Sequence, residues 1–233
     1  MSQAAPPVRL LVSVRDAAEA RVALSAGADL IDAKDPERGA LGALPPATVR
    51  EIVATIGGRA VTSAVAGDGT GTDLAGAVAA MAETGPRWIK IAVGAASHAA
   101  LADAAAAAPG RLIGVVFAED SFDGDDLPAR LAAAGFSGAM IDTRGKLGTG
   151  LRDVLPAAQL SAFVASCRAV GLMSGLAGSL RLADIPALAA LGPDYLGFRG
   201  GLCRGGDRRQ GLEEARIAEA VAALRMPRRA DAA

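Results

Sequence analysis

The sequence has few of the residues that build metal centres and disulfide frameworks. It contains two cysteines, Cys167 and Cys203, and a single histidine, His98, in 233 residues. Two cysteines outside a CxxC motif form no disulfide framework, and one histidine gives no His/Cys cluster for zinc. His98 falls in the helix-start sequence GAASHAA, where we expect an exposed side chain. We therefore expect a protein that works without a metal or other cofactor.

Long apolar runs and an excess of charge are also missing. No run of about 18 apolar residues occurs, so a membrane span is not expected. The N-terminal residues lack the basic region and apolar stretch of a secretory signal, which makes the cytoplasm the expected location. The net charge is −1, which gives no electrostatic reason to expect a nucleic acid or an anionic membrane as a partner.

Lysine is the scarcest of the common charged residues. Only three of the 24 lysine and arginine residues are lysines, Lys34, Lys90 and Lys146, which leaves 21 arginines. A guanidinium stays protonated and cannot act as an amine nucleophile, whereas a lysine amine can. In a chain that uses arginine for most surface cations, the three lysines are candidates for chemistry that needs an amine.

The chain alternates between short apolar or β-branched runs and longer helical patterns. The predicted strands are 9–14, 29–34, 60–66, 88–93, 112–118, 138–143, 172–176 and 194–199, and a last helix is predicted over 211–225. Eight strand–helix units in a chain of this length favour a closed parallel (β/α)8 (TIM) barrel as a single α/β domain. An open doubly wound sheet is the second choice, because GxGxxG is missing after the first strand. We place the barrel at 9–226 and expect flexible tails at 1–8 and 227–233.

The three lysines fall at or just beyond even-numbered strands. Lys34 closes the second predicted strand, Lys90 lies within the fourth and Lys146 follows the sixth. Active sites of such barrels form at the carboxyl ends of the strands, and even strands share layers of the interior. Strand alternation places Asp32 on the same face as Lys34, directed inward. Asp142 precedes Lys146 by four residues and forms a second candidate acid–amine pair.

Electrostatics alone do not decide which amine acts as a nucleophile. The competing explanation of the acid–amine pairs is that they are salt bridges that stabilise the end of the barrel. A lysine must lose its proton to attack a carbonyl, and adjacent carboxylates oppose that loss. Lys90 has no acidic neighbour in sequence, so this reasoning favours Lys90 as the lysine that is easiest to deprotonate.

Glycine-rich segments after the last two predicted strands indicate a phosphate site. The seventh strand region and its loop contain Gly175, Ala177, Gly178 and Ser179, and the eighth leads into Arg199, Gly200 and Gly201. Barrels often bind phosphate with these two loops through backbone N–H groups. Glycine lets the backbone approach closely, and an arginine pairs with the anion. The alternative is that these are ordinary turn glycines and that Ser179 is a helix N-cap.

Several motifs together resemble one family over nearly the whole chain. They are VSVRD…GADLIDAKDP…GALGA, WIKIAV, MIDTRGK, SGLAGSL and GFRGGLC, of which the first is the most specific. The sequence resembles the (5-formylfuran-3-yl)methyl phosphate synthase family, also called 4-(hydroxymethyl)-2-furancarboxaldehyde phosphate synthases. The resemblance implies condensation of two glyceraldehyde 3-phosphate molecules with loss of phosphate and water, in methanofuran-type C1-cofactor biosynthesis. It also implies that Lys34 forms a Schiff base and that Asp32, Lys90, Asp142 and Lys146 are acid–base partners.

Two other functions fit the same residues. One is a Schiff-base phosphosugar aldolase, which would stop after carbon–carbon bond formation. The other is a non-catalytic barrel that binds a phosphorylated ligand or a flavin. The expected partner in each case is a small phosphorylated molecule, with triose phosphate as the substrate of the preferred function. The sequence leaves open whether the protein is a homo-oligomer.

Overall fold

The computed structural model describes residues 7–67, 73–94, 96–120, 126–145 and 149–226. Within this part of the chain, eight parallel strands follow one another around a closed barrel, and β8 pairs with β1. The strands are β1 (Arg9–Val14), β2 (Leu30–Ala33), β3 (Val61–Gly67), β4 (Trp88–Ala92), β5 (Leu112–Phe117), β6 (Gly138–Asp142), β7 (Met173–Ala177) and β8 (Tyr195–Phe198). The predicted (β/α)8 barrel is confirmed, and the open sheet is excluded.

Helices connect the strands on the outside of the barrel. They are α1 (Ala17–Ser25), α2 (Pro46–Ile56), α3 (Leu74–Ala82), α4 (His98–Ala107), α5 (Asp126–Ala133), α6 (Leu151–Val154), α7 (Ala157–Ala169), α8 (Ile185–Ala190) and α9 (Glu214–Arg225). The α9 helix begins at Glu214, three residues later than the sequence predicts. His98 is the first residue of α4 and is exposed, as expected. No helix of the described segments is long and apolar enough to cross a membrane.

Strand alternation divides the apolar residues into two clusters. Ile31, Ala33, Ile89 and Ile91 belong to the outer cluster, where the strands pack on the helices. The inner cluster fills the barrel and includes Tyr195. Because successive residues of a strand point to opposite sides, this outward packing directs the residues between them into the barrel. The inward orientation that we predicted for Asp32 and Lys90 follows from it.

The limits of the barrel differ slightly from the predicted domain bounds. Val8, which we assigned to the N-terminal tail, is buried in the outer cluster. The predicted C-terminal tail at 227–233 lies outside the described residues. Each observed strand begins and ends within one residue of its predicted position.

Candidate active site

A cavity of about 840 Å³ opens at the carboxyl ends of the strands. Asp32, Lys34, Lys90 and Asp142 all contribute to its wall. They come from β2, β4 and β6, so the predicted convergence of even strands occurs. Lys146 lies outside the described residues, and its place relative to the cavity stays a prediction.

The acids and amines pair across the barrel rather than along the chain. Lys90 Nζ lies 3.0 Å from Asp32 Oδ1, and Lys34 Nζ lies 3.5 Å from Asp142 Oδ2. The sequence had grouped Asp32 with Lys34 because the two share a strand face. In the structure each carboxylate instead has an ion-pair partner on a non-adjacent strand. Neighbours across the interior of a barrel are set by strand stagger, which local alternation does not reveal.

Three polar groups, the Lys90 ammonium and the hydroxyls of Ser63 and Ser13, surround the buried Asp32 carboxylate. Ser63 Oγ donates a hydrogen bond to Oδ1 at 2.6 Å, and Ser13 Oγ donates one to Oδ2 at 3.1 Å. Burial by itself would raise the pKa of Asp32, but the Lys90 and Lys34 ammonium groups and the Ser63 hydroxyl outweigh burial. The pKa of Asp32 is therefore below its ordinary value, and the group remains a carboxylate at neutral pH.

The pKa of Lys90 is also shifted. Burial lowers it and the nearby Lys34 ammonium lowers it further, while Asp32 opposes both effects and the net shift is downward. The direction of this shift is the one that the sequence favoured for Lys90. Lys90 has no acidic neighbour in sequence, but Asp32 contacts it in the fold and opposes the shift, so burial is the main reason that the pKa is lowered.

The two amines differ in their access to the cavity. The Lys90 side chain is 3% exposed and is enclosed together with Asp32, whereas the Lys34 side chain is 11% exposed. Lys34 also follows the last residue of β2, at the cavity mouth. A molecule that enters the barrel from this end meets Lys34 before Lys90.

Most of the predicted phosphate loop residues line the same cavity. These are Ala177, Gly178, Ser179, Arg199, Gly200 and Gly201. A Cβ atom at Gly201 would lie 2.3 Å from the Leu180 carbonyl oxygen, so glycine allows the two loops to meet. Ser179 has a φ of +48°, a strained conformation for a residue with a side chain. Gly175 is not part of this wall: it lies within β7, where a Cβ atom would collide with the ring of Tyr195.

Arg199 lies at the cavity, but its guanidinium points to the protein. It forms a buried ion pair with Glu19 of α1. It also donates hydrogen bonds to the carbonyl oxygens of Ser13, Arg208 and Gln210. The predicted role of Arg199 as a phosphate ligand therefore competes with a structural role that the sequence did not indicate.

Sequence reasoning missed Ser13, Ser63 and Arg208. Ser13 and Ser63 lie opposite Asp32 in the register of β1 and β3, so strand pairing would have identified both serines. Arg208 lies in the segment GGDRRQG, which has no pattern that separates it from Arg209. Among the described residues, no three His, Cys, Asp or Glu side chains form a group that could hold a metal ion.

Comparison with known proteins places these residues in a family. The model of the 4-HFC-P synthase family matches residues 10–221. A protein of Methylorubrum extorquens, provisionally named (5-formylfuran-3-yl)methyl phosphate synthase, is 72% identical over 225 residues, covering 97% of this chain and 95% of its own. The (5-formylfuran-3-yl)methyl phosphate synthase of Methanosarcina mazei is 34% identical over 235 residues, covering 92% and 100%.

Solved structures show the fold but not the reaction. Phosphoribosyl anthranilate isomerase from Thermus thermophilus superposes with a TM-score of 0.67 at 15% identity, covering 93% of this chain and 98% of its own. For 3-hexulose-6-phosphate synthase from Salmonella typhimurium the TM-score is 0.68 at 15% identity, with the same coverage. At these identities the likeness concerns the barrel alone. The family match and the close relatives show more: this chain belongs to the 4-HFC-P synthase family of enzymes.

Proposed function

We propose that this protein condenses two molecules of glyceraldehyde 3-phosphate into (5-formylfuran-3-yl)methyl phosphate. The product forms with loss of one phosphate and two molecules of water, so the enzyme would act as a carbon–oxygen lyase on phosphates. We further propose that the product enters a methanofuran-type C1 cofactor. The family match and the names of the close relatives support the overall reaction.

The contrast between the two amines carries the proposed mechanism. Lys34 is at the cavity mouth, 3.5 Å from the Asp142 carboxylate, and it is the more exposed of the two lysines. In the proposed reaction, the Lys34 amine adds to the carbonyl of one triose phosphate and expels water to form an imine. Asp142 is placed to move protons to and from the carbinolamine oxygen as that water leaves.

Lys90 and Asp32 are proposed as the proton-transfer pair beneath the imine. Removal of a proton next to the imine carbon gives an enamine, whose carbon attacks the aldehyde of the second triose phosphate. A lysine with a lowered pKa is better suited to accept and return protons than a lysine with an ordinary pKa. The Asp32 carboxylate, held by Ser13 and Ser63, keeps the Lys90 side chain in one orientation.

Borohydride trapping tests the imine and its position. The protein is incubated with glyceraldehyde 3-phosphate, reduced with borohydride, digested and mapped by mass spectrometry. We expect one triose-derived adduct on the peptide that contains Lys34. Lys34→Met should abolish the adduct, and the matched Lys90→Met should still form it while furan formation falls at least about 100-fold.

Three other results would contradict parts of the proposal. An adduct on Lys90 that survives in Lys34→Met would reverse the roles of the two lysines. Furan formation by wild type without an adduct on any lysine would defeat the imine mechanism. A sugar phosphate product, with no furan absorbance and no released phosphate, would favour the aldolase alternative instead.

A further inference from the structure

The Arg199 guanidinium has no hydrogen-bond donor left for a ligand. A guanidinium carries five N–H donors. Nε donates to the Arg208 carbonyl at 2.9 Å. Nη1 donates to the Ser13 carbonyl at 3.1 Å and to Glu19, and Nη2 donates to Glu19 at 3.1 Å and to the Gln210 carbonyl at 3.2 Å. A phosphate could bind Arg199 only by displacing contacts that are already formed.

These contacts hold the segment that follows β8. Arg199 binds the carbonyl groups of Arg208 and Gln210, and Arg15 Nη1 donates to the Arg209 carbonyl at 2.7 Å. The backbone of residues 208–210 is thus fixed by three hydrogen bonds from two arginines, Arg199 and Arg15. The buried Glu19–Arg199 pair is the anchor of this arrangement, because it neutralises the charge that the carbonyl groups surround.

The side chain of Arg208 points the other way, toward the cavity. It contributes to the cavity wall together with Lys34 and Asp142, and it lies within electrostatic range of the Asp142 carboxylate. Its Nη2 donates to the Gly39 carbonyl at 2.8 Å. Its Nε is buried and has no hydrogen-bond partner among the described residues. A buried donor without a partner is costly, and a small shift of the side chain would let a bound anion satisfy it.

The remaining loop residues offer a different kind of anion site. At Gly178, Ser179, Gly200 and Gly201 the groups that could bind an anion are neutral backbone N–H donors, although Arg181 and Arg216 also contribute to the cavity wall. Such donors suit a phosphate that stays bound through the reaction. A departing phosphate gains negative charge as its carbon–oxygen bond breaks, and a fixed cation stabilises that charge more strongly. Two substrate phosphates with different fates therefore match two sites of different character.

We propose that Arg208 binds the phosphate group that the reaction expels, and that the Glu19–Arg199 pair positions Arg208 for this task. The inference rests on the proposed function, since it assigns one of that reaction's two phosphates. In the elimination, a carbon-bound proton passes to a base such as the Asp142 carboxylate and a carbon–carbon double bond forms. The carbon–oxygen bond breaks, and its electron pair leaves with the phosphate, which the Arg208 guanidinium binds.

The first test compares two arginines of the same segment. Arg208→Gln removes the proposed ligand, and Arg204→Gln removes an exposed arginine that is not part of the cavity wall. With glyceraldehyde 3-phosphate as substrate, we expect phosphate release by Arg208→Gln to fall about 100-fold. Arg204→Gln should stay within about twofold of wild type. Millimolar guanidinium should restore part of the activity of Arg208→Gly, a rescue that a purely structural role would not give.

The second test measures binding without turnover. Inorganic phosphate is titrated into wild type and Arg208→Gln by calorimetry, after circular dichroism has shown that both are folded. We expect the variant to lose one phosphate site or to bind it at least about tenfold more weakly. Glu19→Gln, which keeps the Arg208 side chain but breaks the ion pair that positions it, should weaken the same site. Identical binding isotherms for wild type and Arg208→Gln, or no phosphate binding by wild type, would overturn the inference.

The two tests separate this inference from the proposed function. If wild type forms no furan from glyceraldehyde 3-phosphate, the proposed function fails, and the calorimetry still decides whether Arg208 binds phosphate. If wild type forms furan and Arg208→Gln does so equally fast, the proposed function stands and the role of Arg208 is wrong.

Discussion

Lys90 Nζ lies 3.0 Å from Asp32 Oδ1, although the two residues come from strands β4 and β2, which are not neighbours. The strand between them, β3, contributes Ser63, which binds the same carboxylate oxygen. Three successive strands therefore converge on one buried acid. Burial would raise the pKa of Asp32, but the Lys90 and Lys34 ammonium groups and the Ser63 hydroxyl lower it below its ordinary value. The pKa of Lys90 is also lowered, because burial outweighs the attraction of Asp32.

Asp32→Asn should destabilise the protein because it leaves the Lys90 ammonium buried without its counter-charge. Removal of one partner of a buried pair costs about 3–5 kcal/mol, so we expect a loss of this size in urea unfolding at pH 7. The folded-state pKa of Lys90 lies below its unfolded value, and the folded state releases that proton first. The difference in unfolding free energy between wild type and Asp32→Asn should therefore shrink as the pH rises toward about 10.

The double variant Asp32→Asn/Lys90→Met is the control for this prediction. It removes the Lys90 charge as well as the Asp32 charge. We expect it to recover most of the stability that the single variant Asp32→Asn loses. A single variant as stable as wild type at pH 7, or a double variant no more stable than the single, would contradict the assigned ion pair.

Ser63 and Ser13 should act on catalysis through Asp32. The Ser63 hydrogen bond is shorter, at 2.6 Å against 3.1 Å, so Ser63→Ala should raise the pKa of Asp32 more than Ser13→Ala does. We expect Ser63→Ala to lower kcat about tenfold and to move the acidic limb of the pH–rate profile to higher pH. Thr84→Val, which removes a buried hydroxyl bonded to the Met81 carbonyl, should cost stability without moving that limb. An unmoved limb in Ser63→Ala would rule out this positioning role.

Much of the site could be predicted because strand alternation is a local property. The inward direction of Asp32 and Lys90 follows from apolar residues on either side of them, and those neighbours pack outward as expected. The ion-pair partners could not be predicted in the same way. Which carboxylate meets which amine depends on the stagger of β2, β4 and β6 around the barrel, and no single strand carries that information.

The arginines show a second limit of sequence reasoning. Arg199 is the last residue of the eighth predicted strand, and it lies in the cavity wall beside the expected phosphate loop. Its partner Glu19 comes from α1, at the other end of the chain, so the ion pair that occupies its guanidinium is a purely tertiary contact. Arg208 is placed toward the cavity by that same contact. Only the folded barrel shows that Arg199 holds the loop by its guanidinium while the neighbouring Arg208 is free of that ion pair and contributes to the cavity wall.

The buried thiol of Cys167 predicts a loss of stability at alkaline pH. Burial raises its pKa to about 12 and the nearby Asp194 adds to this, compared with an ordinary value near 9. Because the folded-state pKa is the higher one, the folded protein keeps the proton that the unfolded chain releases. This contribution is complete below about pH 9 and is lost as the pH rises through the folded-state pKa.

Cys167→Ala isolates this contribution. The truncation adds a constant packing cost, so only the change with pH is informative. We expect wild type to lose about 2 kcal/mol relative to Cys167→Ala between pH 8 and about pH 10.5, measured by urea unfolding. A pH-independent difference between the two proteins would show that the thiol titrates normally in the folded state.

Gly201→Ala should separate the two phosphate loops. The new methyl group would lie 2.3 Å from the Leu180 carbonyl oxygen, and backbone cannot move aside as a flexible side chain can. We expect the loop after β8 to move away from the loop after β7. The backbone N–H donors at Ser179 and Gly200 would then no longer point at the same phosphate. Since these donors contact the substrate in the ground state, KM for glyceraldehyde 3-phosphate should rise at least about tenfold. Gly211→Ala is the matched control, because a methyl group there meets no atom within 4 Å and should leave KM unchanged. An unchanged KM in Gly201→Ala, with the fold intact, would move the retained phosphate away from these loops.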